Sequence, residues 1–234
     1  MTERPQHPSP DPGLAERLAR VQGEIADAAA TAGRSVDELT LIVVSKFQPL
    51  SLIRDLMALG VRDFGENRHQ EAQVKAAELS SDPPRWHFVG QLQSKKARAV
   101  REYAHSIHSL DRQSLVDALS VGATTEIDCF VQLNLTEDPS RGGVDEAGLE
   151  ALVEQVLASD ALRLRGIMAV APLDEEPRRA FARLRSASER VRALEPHADR
   201  ISAGMSHDFA DAILEGATHL RIGSAITGNR PSRG

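Results

Sequence analysis

One lysine ends the most apolar run in the chain. The run covers residues 39–46, Leu-Thr-Leu-Ile-Val-Val-Ser-Lys, and its last residue is Lys46. Its β-branched composition predicts a strand buried on both faces, as in a parallel sheet. Because α/β folds bind ligands at the carboxyl ends of their strands, Lys46 is placed where burial would lower the pKa of its amine. The residue therefore predicts a nucleophilic, Schiff-base lysine, and the alternative is a strand-end lysine that extends into solvent.

Three small residues follow the last two predicted strands. Ser206 precedes a short predicted helix that begins at Asp208, and Gly223 and Ser224 open another short segment. Helix N-termini present free N–H groups, and glycine lets a phosphate approach the backbone closely. In an α/β barrel the loops after the seventh and eighth strands are a recurrent phosphate site. The three residues therefore predict phosphate binding, and ordinary helix capping by the serines is the alternative.

Two further polar residues lie at or near predicted strand ends. Arg221 interrupts the apolar final strand, where an arginine is costly unless it is paired or faces a ligand, and a buried salt bridge is the alternative. Asn67 directly follows the Gly65-Glu66 end of the second strand. We interpret His87 as a hydrogen-bonded strand histidine rather than a ligand. We expect no metal site, because the eight histidines show no metal-ligand spacing.

The composition limits the classes of function. The chain has 234 residues, is 41% hydrophobic and carries a net charge of −6, which argues against nonspecific binding to nucleic acid or membrane surfaces. It contains no signal-peptide core and no apolar run of about 18 residues, so we expect a cytoplasmic chain without a membrane segment. Cys129 is the only cysteine, which excludes an intramolecular disulfide and predicts a buried, inert thiol.

Short apolar runs alternate with helical patterns along the chain. Eight strands are predicted, over residues 40–45, 61–64, 86–89, 105–108, 126–133, 163–168, 199–203 and 218–222. The clearest helices are one that ends near Gly33, one over 149–156 and one over 177–194. This pattern predicts an α/β fold, a single (β/α)8 TIM-type barrel with an extra N-terminal helix, and a doubly wound open sheet is the rival. We expect one domain over 14–234, after a disordered, proline-rich tail over 1–13.

Six segments of the chain carry a resemblance to a known family. They cover residues 43–49 (Val-Val-Ser-Lys-Phe-Gln-Pro), 64–71, 86–96, 164–170, 202–208 (Ser-Ala-Gly-Met-Ser-His-Asp) and 221–228 (Arg-Ile-Gly-Ser-Ala-Ile-Thr-Gly). In this order they resemble the pyridoxal phosphate homeostasis proteins, single-domain barrels similar to the N-terminal domain of alanine racemase. Two positions depart from the family pattern: Ser224, where threonine is common, and Thr227, where an aromatic residue is usual.

The resemblance implies that the chain binds pyridoxal 5′-phosphate (PLP). Lys46 would hold the cofactor as an internal aldimine. The residues after the last two strands would hold its phosphate: Ser206, Gly223 and Ser224. Arg221 would face the pyridine nitrogen and keep it unprotonated, which weakens the ring as an electron sink. Asn67 would line the site.

The resemblance also implies a non-catalytic carrier that buffers PLP or delivers it to PLP-dependent apo-enzymes. An amino-acid racemase is the alternative, and it needs two bases on opposite faces of the substrate. In the similar racemases a tyrosine from an additional β domain of a partner subunit is the second base, whereas the one tyrosine here, Tyr103, lies at no predicted strand end. A sugar-phosphate enzyme that uses Lys46 as a Schiff-base nucleophile is a third reading. We expect a monomer, since no dimer face is evident.

Overall fold

Eight parallel strands close into a barrel in the computed structural model, which describes residues 12–228. The strands are β1 (Thr40–Val44), β2 (Asp63–Glu66), β3 (Arg85–Phe88), β4 (Ser106–Leu110), β5 (Ile127–Gln132), β6 (Leu162–Met168), β7 (Arg200–Ser202) and β8 (His219–Ile222). Each overlaps one predicted strand. β1 pairs directly with β8, with Val43 opposite Ile222. The predicted barrel is confirmed, and the open sheet is wrong because its first and last strands would not pair.

Helices cover the outside of the barrel. They are α1 (Pro12–Thr31), α2 (Leu50–Ala58), α3 (His69–Glu78), α4 (Ala97–Arg101), α5 (Gln113–Ser120), α6 (Leu149–Leu157), α7 (Pro177–Leu194), α8 (Phe209–Leu214) and α9 (Ser224–Thr227). α7 occupies its predicted range because Pro177 fits a first turn and the Glu176 carboxylate accepts from the N–H of Arg178 and Arg179.

The hydrophobic core lies between the strands and the helices. Outward side chains of the strands, such as Phe64 and Ile107, are fully buried. They belong to one cluster with helix residues such as Ile53 and Leu184. Since full burial of one such side chain is worth about 1.5–3 kcal/mol, this layer fixes the helices around the barrel. The loops at the strand ends are thereby held in place.

The extra N-terminal helix α1 packs over α8 and α9. It buries an apolar stripe at helical spacing: Leu14, Leu18, Val21 and Ile25. Arg17 Nε donates to the carbonyl of Ile226 at 2.8 Å, and Arg20 Nη2 donates to that of Ala225 at 3.2 Å. The helix begins at Pro12, so residues 12–13 belong to it and not to the predicted tail. The rest of that tail, residues 1–11, lies outside the described residues.

Polar side chains occupy much of the barrel interior. The strand register places Gly65 opposite His87 and His87 opposite Ser106. His108 lies two residues further along β4 and therefore faces the same side. It meets Ser202 of β7 across the barrel, with 2.8 Å between Nδ1 and Oγ. Because branched apolar residues usually fill such interiors, these polar groups must satisfy one another through hydrogen bonds.

The sequence argued against a reactive cysteine, a membrane-spanning helix and a metal site, and each can be compared with the structure. Cys129 is buried in β5, and burial raises the pKa of its thiol, which agrees with the predicted inert cysteine. Over residues 12–228, none of the helices combines the length and the apolar character that crossing a bilayer requires. In the same part of the chain, the acidic, histidine and cysteine side chains form no group of three or more that could hold a metal ion.

Candidate functional site

A cavity of about 230 Å³ lies at the carboxyl ends of β1 and β8. Its lining residues come from the end of β1 and from the segments that follow these two strands: Val44, Lys46, Phe47, Gln48, Gly223, Ser224, Thr227 and Gly228. Because β1 and β8 are paired, the predicted lysine and part of the predicted phosphate site become neighbours. The structure thus brings Lys46, Gly223 and Ser224 to one cavity.

Ser206, in the loop after β7, contacts one of the residues that line this cavity. The Ser224 hydroxyl donates to Ser206 Oγ at 3.4 Å, and the Ala225 N–H donates to the same oxygen at 3.3 Å. Ser206 therefore contacts the N-terminus of α9 and does not cap α8, which begins after Asp208. Within residues 12–228, the N–H groups of Gly223 and Ser224 donate to no acceptor. Two hydroxyls and two free amides are thus concentrated at one point.

Lys46 is exposed, so the predicted burial of its amine is wrong. The physical reason is its place in the chain. β1 ends at Val44, and the buried part of the strand end stops at Ser45, which has no exposed surface. The lysine side chain therefore leaves the sheet where the mouth of the barrel is already open to solvent.

A buried ion pair fixes the residue before Lys46. Lys75 of α3 donates from Nζ to the Ser45 carbonyl at 2.9 Å and to Glu66 Oε1 at 2.7 Å. The Ser45 hydroxyl donates to the same carboxylate oxygen at 2.8 Å. Burial raises the pKa of Glu66, although Lys75 and Ser45 both oppose this shift. The pair ties β1, β2 and α3 together directly beneath the lysine.

The residue after Lys46 is fixed as well. Phe47 has a φ of 64°, a left-handed conformation that is uncommon for a residue other than glycine. Its N–H donates to Glu71 Oε2 at 3.0 Å, and the Arg68 guanidinium lies 4.6 Å from the centre of its ring. These contacts hold the strained turn. Both neighbours of Lys46 are therefore held in place, while its own side chain is exposed.

Arg221 lies inside the barrel near the same mouth. It is 5% exposed, and its Nη1 and Nη2 donate to Ser202 Oγ at 2.7 Å and to the Ala169 carbonyl at 2.8 Å. Burial lowers the pKa of Arg221 to about 10, so the side chain stays cationic near neutral pH. No carboxylate of residues 12–228 forms an ion pair with it. The buried salt bridge that the sequence left open is therefore absent from the described part of the chain.

Asn67 also reaches the mouth, directly after β2. Its backbone touches Gly90, where a Cβ atom would lie only 2.5 Å from the Asn67 carbonyl oxygen. This close approach requires glycine at position 90. The Asn67 Oδ1 atom is buried and has no hydrogen-bond partner in the described chain. Asn67 makes no hydrogen bond to the other predicted site residues.

Sequence reasoning missed several interior residues. His87 is a hydrogen-bonded strand histidine, as interpreted, yet its partners Asp63 and His108 were not recognised as a group. Two polar residues, Ser106 and His108, lie two positions apart in β4, Ser-Ile-His-Ser-Leu, and this spacing was the available signal. The Lys75–Glu66 pair left no such signal, because both residues occupy ordinary positions on a helix and at a strand end.

Tyr103 does not line the cavity that contains Lys46. Its ring stacks against His69 of α3 with 6.0 Å between centroids, and its hydroxyl is 3.5 Å from His69 Nδ1. Burial raises the pKa of the Tyr103 hydroxyl, and the nearby Glu66 carboxylate adds to that shift. A proton on this oxygen is therefore held tightly.

Known proteins are similar to this chain in sequence and in fold. The family of the alanine racemase N-terminal domain matches residues 21–231. A pyridoxal phosphate homeostasis protein of Mycobacterium tuberculosis is 39% identical over 249 residues, which cover 97% of this chain and 96% of that protein. The structure of PipY from Synechococcus elongatus, solved with PLP bound, has a TM-score of 0.80 and 34% identity, and the match covers 92% of this chain and 100% of PipY.

An enzyme shares the fold at much lower identity. Alanine racemase from Corynebacterium glutamicum has a TM-score of 0.74 and 17% identity, and the match covers 95% of this chain and 62% of the racemase. An identity this low shows a common barrel and does not carry an activity with it.

Proposed function

We propose that this chain, which belongs to the pyridoxal phosphate homeostasis protein family, binds PLP reversibly at the mouth of its barrel and buffers or delivers it without catalysing a reaction. The observation that carries the proposal is the single cavity that Lys46 shares with Gly223 and Ser224. An amine and a phosphate site within one small cavity match the two ends of PLP, its aldehyde and its phosphate.

The residues around the cavity fit the phosphate end. The hydroxyls of Ser206 and Ser224 lie 3.4 Å apart, and both are accessible from the mouth. The free N–H groups of Gly223 and Ser224 add hydrogen-bond donors that can bind an anion without repelling it. We assign the phosphate to these three residues.

Lys46 fits the aldehyde end. When bound, PLP would supply a carbonyl carbon that an uncharged amine can attack. The exposed side chain of Lys46 can reach and release such a group without any opening of the barrel. Its fixed neighbours, Ser45 and Phe47, keep the point of attachment constant. Easy access together with a fixed base suits reversible binding.

Arg221 and Asn67 would orient the ring. The guanidinium has donors only, so facing a pyridine nitrogen it favours the unprotonated form of that nitrogen. An unprotonated ring is a weak electron sink, which suits a carrier better than an enzyme. The partnerless Oδ1 of Asn67 is an acceptor that a bound ligand could satisfy.

The position of Tyr103 favours the carrier over a racemase. Racemisation needs a second base opposite the lysine. The one tyrosine of the chain packs on His69 instead, and burial opposes loss of its proton. The purified protein should therefore show no racemisation or decarboxylation of free amino acids in the presence of PLP. Measurable turnover would support the enzyme alternatives, including another Schiff-base lysine enzyme.

An absorbance titration with PLP tests the binding proposal. Wild-type protein should develop a visible absorption band, and borohydride followed by peptide mapping should locate the cofactor on Lys46. Lys46→Ala should lose the band. Lys95→Ala is the matched control, since Lys95 is also exposed, and it should retain the band. An unchanged adduct in Lys46→Ala would refute the assignment. Transfer of PLP from the loaded protein to an apo-enzyme then tests delivery.

A further inference from the structure

A continuous series of hydrogen bonds crosses the barrel interior. Asp63 Oδ1 lies 2.9 Å from His87 Nε2, and His87 Nδ1 lies 3.1 Å from His108 Nε2. His108 Nδ1 lies 2.8 Å from Ser202 Oγ, which accepts from Arg221 Nη1 at 2.7 Å. We call these five residues the interior relay. Asp63 begins β2, so the relay joins the far end of the barrel to Arg221 near the mouth.

The ionisation of Asp63 gives the relay a direction. Burial alone would raise the pKa of Asp63, but hydrogen bonds from Arg85 and His87 outweigh it and hold that pKa well below the usual range. An ionised carboxylate can only accept, so His87 must carry its hydrogen on Nε2. In the neutral imidazole the other nitrogen, Nδ1, is then an acceptor. It requires a donor on the side that faces His108.

His108 can supply that donor in one tautomer only. Burial lowers the pKa of His108 well below its ordinary value, so the ring is neutral and carries one hydrogen. With that hydrogen on Nε2, it donates towards His87 and Ser106, whose hydroxyl lies 2.9 Å away. With the hydrogen on Nδ1, two lone pairs would face each other across 3.1 Å, with the single Ser106 hydroxyl hydrogen between them. The first tautomer is therefore favoured.

Burial lowers the pKa of His105 and of His219, the two further histidines among residues 12–228 whose charge would act on His108. The Phe130 ring stacks on it with 4.2 Å between centroids, and the His219 ring lies at 6.1 Å. Burial lowers the pKa of His219 to about 3, so this ring is neutral too. His108 Nδ1 is therefore left to accept from the Ser202 hydroxyl. The lone pairs of that oxygen remain directed at Arg221.

We propose that Asp63 is a positioning residue for Arg221 and acts on it through the tautomers of the interior relay. Every donor in the relay points from Arg221 towards Asp63. The fixed Ser202 lone pair and the Ala169 carbonyl then hold the guanidinium on two sides and set where its remaining N–H groups point. The inference rests on the proposed function in one respect, namely that these N–H groups face the ring nitrogen of PLP.

A matched pair of variants tests the proposal. Asp63→Asn places an amide that can donate to His87 Nε2, so it permits the opposite tautomer along the relay. Asp128→Asn is the control. Asp128 lies near the same end of the barrel, its side chain is 13% exposed against 11% for Asp63, and each carboxylate is bonded to an arginine, Arg163 or Arg85.

The first measurement uses the protein without PLP. Nitrogen-15 spectra of histidine-labelled protein should show hydrogen on Nε2 of His87 and His108 in wild type and in Asp128→Asn. Asp63→Asn should show mixed or reversed tautomers. Hydrogen on Nδ1 of His108 in wild type overturns the proposal, and this result requires no variant to fold. Unaltered tautomers in folded Asp63→Asn overturn it as well.

The second measurement is the affinity for PLP. Asp63→Asn should bind roughly tenfold more weakly than wild type, which corresponds to one misdirected hydrogen bond to a charged group, and its absorption band should shift. Asp128→Asn should match wild type. Equal losses in the two variants, or no loss in Asp63→Asn, overturn the positioning role. If the wild-type protein fails to bind PLP, the proposed function is refuted. The tautomers measured by nitrogen-15 spectra then remain the test of the interior relay.

Discussion

At the scale of residues, Lys46 combines an accessible amine with a backbone that its neighbours hold in place. The side chain is exposed, while Ser45 and Phe47 on either side are held by contacts from β2 and α3. The sequence placed the lysine correctly at a strand end, because strand ends can be read from local composition. It could not show the exposure, which depends on how far β1 extends before the barrel opens.

The buried partner of Glu66 should matter for stability. Lys75→Met leaves a buried carboxylate without a counter-charge and should lower the free energy of unfolding by about 3 kcal/mol. Urea unfolding measures this loss. The double variant Lys75→Met/Glu66→Gln should recover part of it, because the charge is then removed from both partners. A single variant as stable as wild type would show that the pair does not hold the strand end.

The proposed phosphate contact at Ser206 can be tested by removing one hydroxyl. Ser206→Ala should weaken PLP binding about tenfold, since a hydrogen bond to a charged group is worth about 1.5–3 kcal/mol. Ser186→Ala is a suitable control, because Ser186 is exposed on α7 and its hydroxyl bonds only to the Ala182 carbonyl of its own helix. Absorbance titration compares the two. Equal affinities of Ser206→Ala and Ser186→Ala for PLP would show that Ser206 does not contact the phosphate.

At the scale of elements, α1 supports the shortest helix of the site. α9 spans four residues, and two free backbone N–H groups lie at its start, those of Gly223 before the helix and of Ser224 within it. Two arginines of α1 bind carbonyls at its other side, those of Ala225 and Ile226. Cations near a helix C-terminus stabilise it, and a helix this short has little stability of its own. The extra N-terminal helix α1 therefore stabilises α9 at the mouth of the barrel.

Removal of these arginines should loosen α9. In Arg17→Met/Arg20→Met the N–H groups of Ile226 and Thr227 should exchange with solvent several times faster, as expected for a loss of about 1 kcal/mol. Hydrogen exchange measured by NMR gives the rates. Arg190→Met on α7, where Arg190 pairs with Glu150 at the surface, is the control and should leave α9 unchanged. Unaltered exchange in the double variant would contradict the support by α1.

The elements were predicted more completely than their ends. Apolar runs and helical spacing are local, and all eight strands and α7 were located from them. The sequence did not decide between a closed barrel and an open sheet, because the pairing of β1 with β8 joins residues 179 positions apart, such as Thr40 and His219. Register and closure depend on such distant contacts, which a single sequence does not display.

At the scale of the whole molecule, an apolar layer surrounds a polar interior. The interior relay was missed because its members come from β2, β3, β4, β7 and β8, and only barrel closure brings them together. The mouth was predicted better. Its residues follow strands, and every strand of a parallel barrel ends at the same face.

The polar interior should give stability a definite dependence on pH. The folded-state pKa of Asp63 is depressed, so its contribution is complete above the ordinary aspartate pKa of about 3.9 and is lost as the pH falls below that value. Asp63→Asn should therefore be less stable than wild type at about pH 7, and the difference should shrink towards about pH 3. Urea unfolding at both values checks this. A difference in the free energy of unfolding that stays constant between the two pH values would show that folding does not lower the pKa of Asp63.

The pairing of β1 with β8 has a further consequence for how the binding site comes into being. Lys46 follows the first strand, and Gly223 and Ser224 follow the last, so the cavity lies across the seam where the barrel closes. During synthesis Lys46 is made well before Gly223 and Ser224. A ligand that contacts residues after both β1 and β8 binds only when these strands are paired. It therefore stabilises the closed barrel by mass action. Ligand binding is then thermodynamically linked to the stability of the closed barrel.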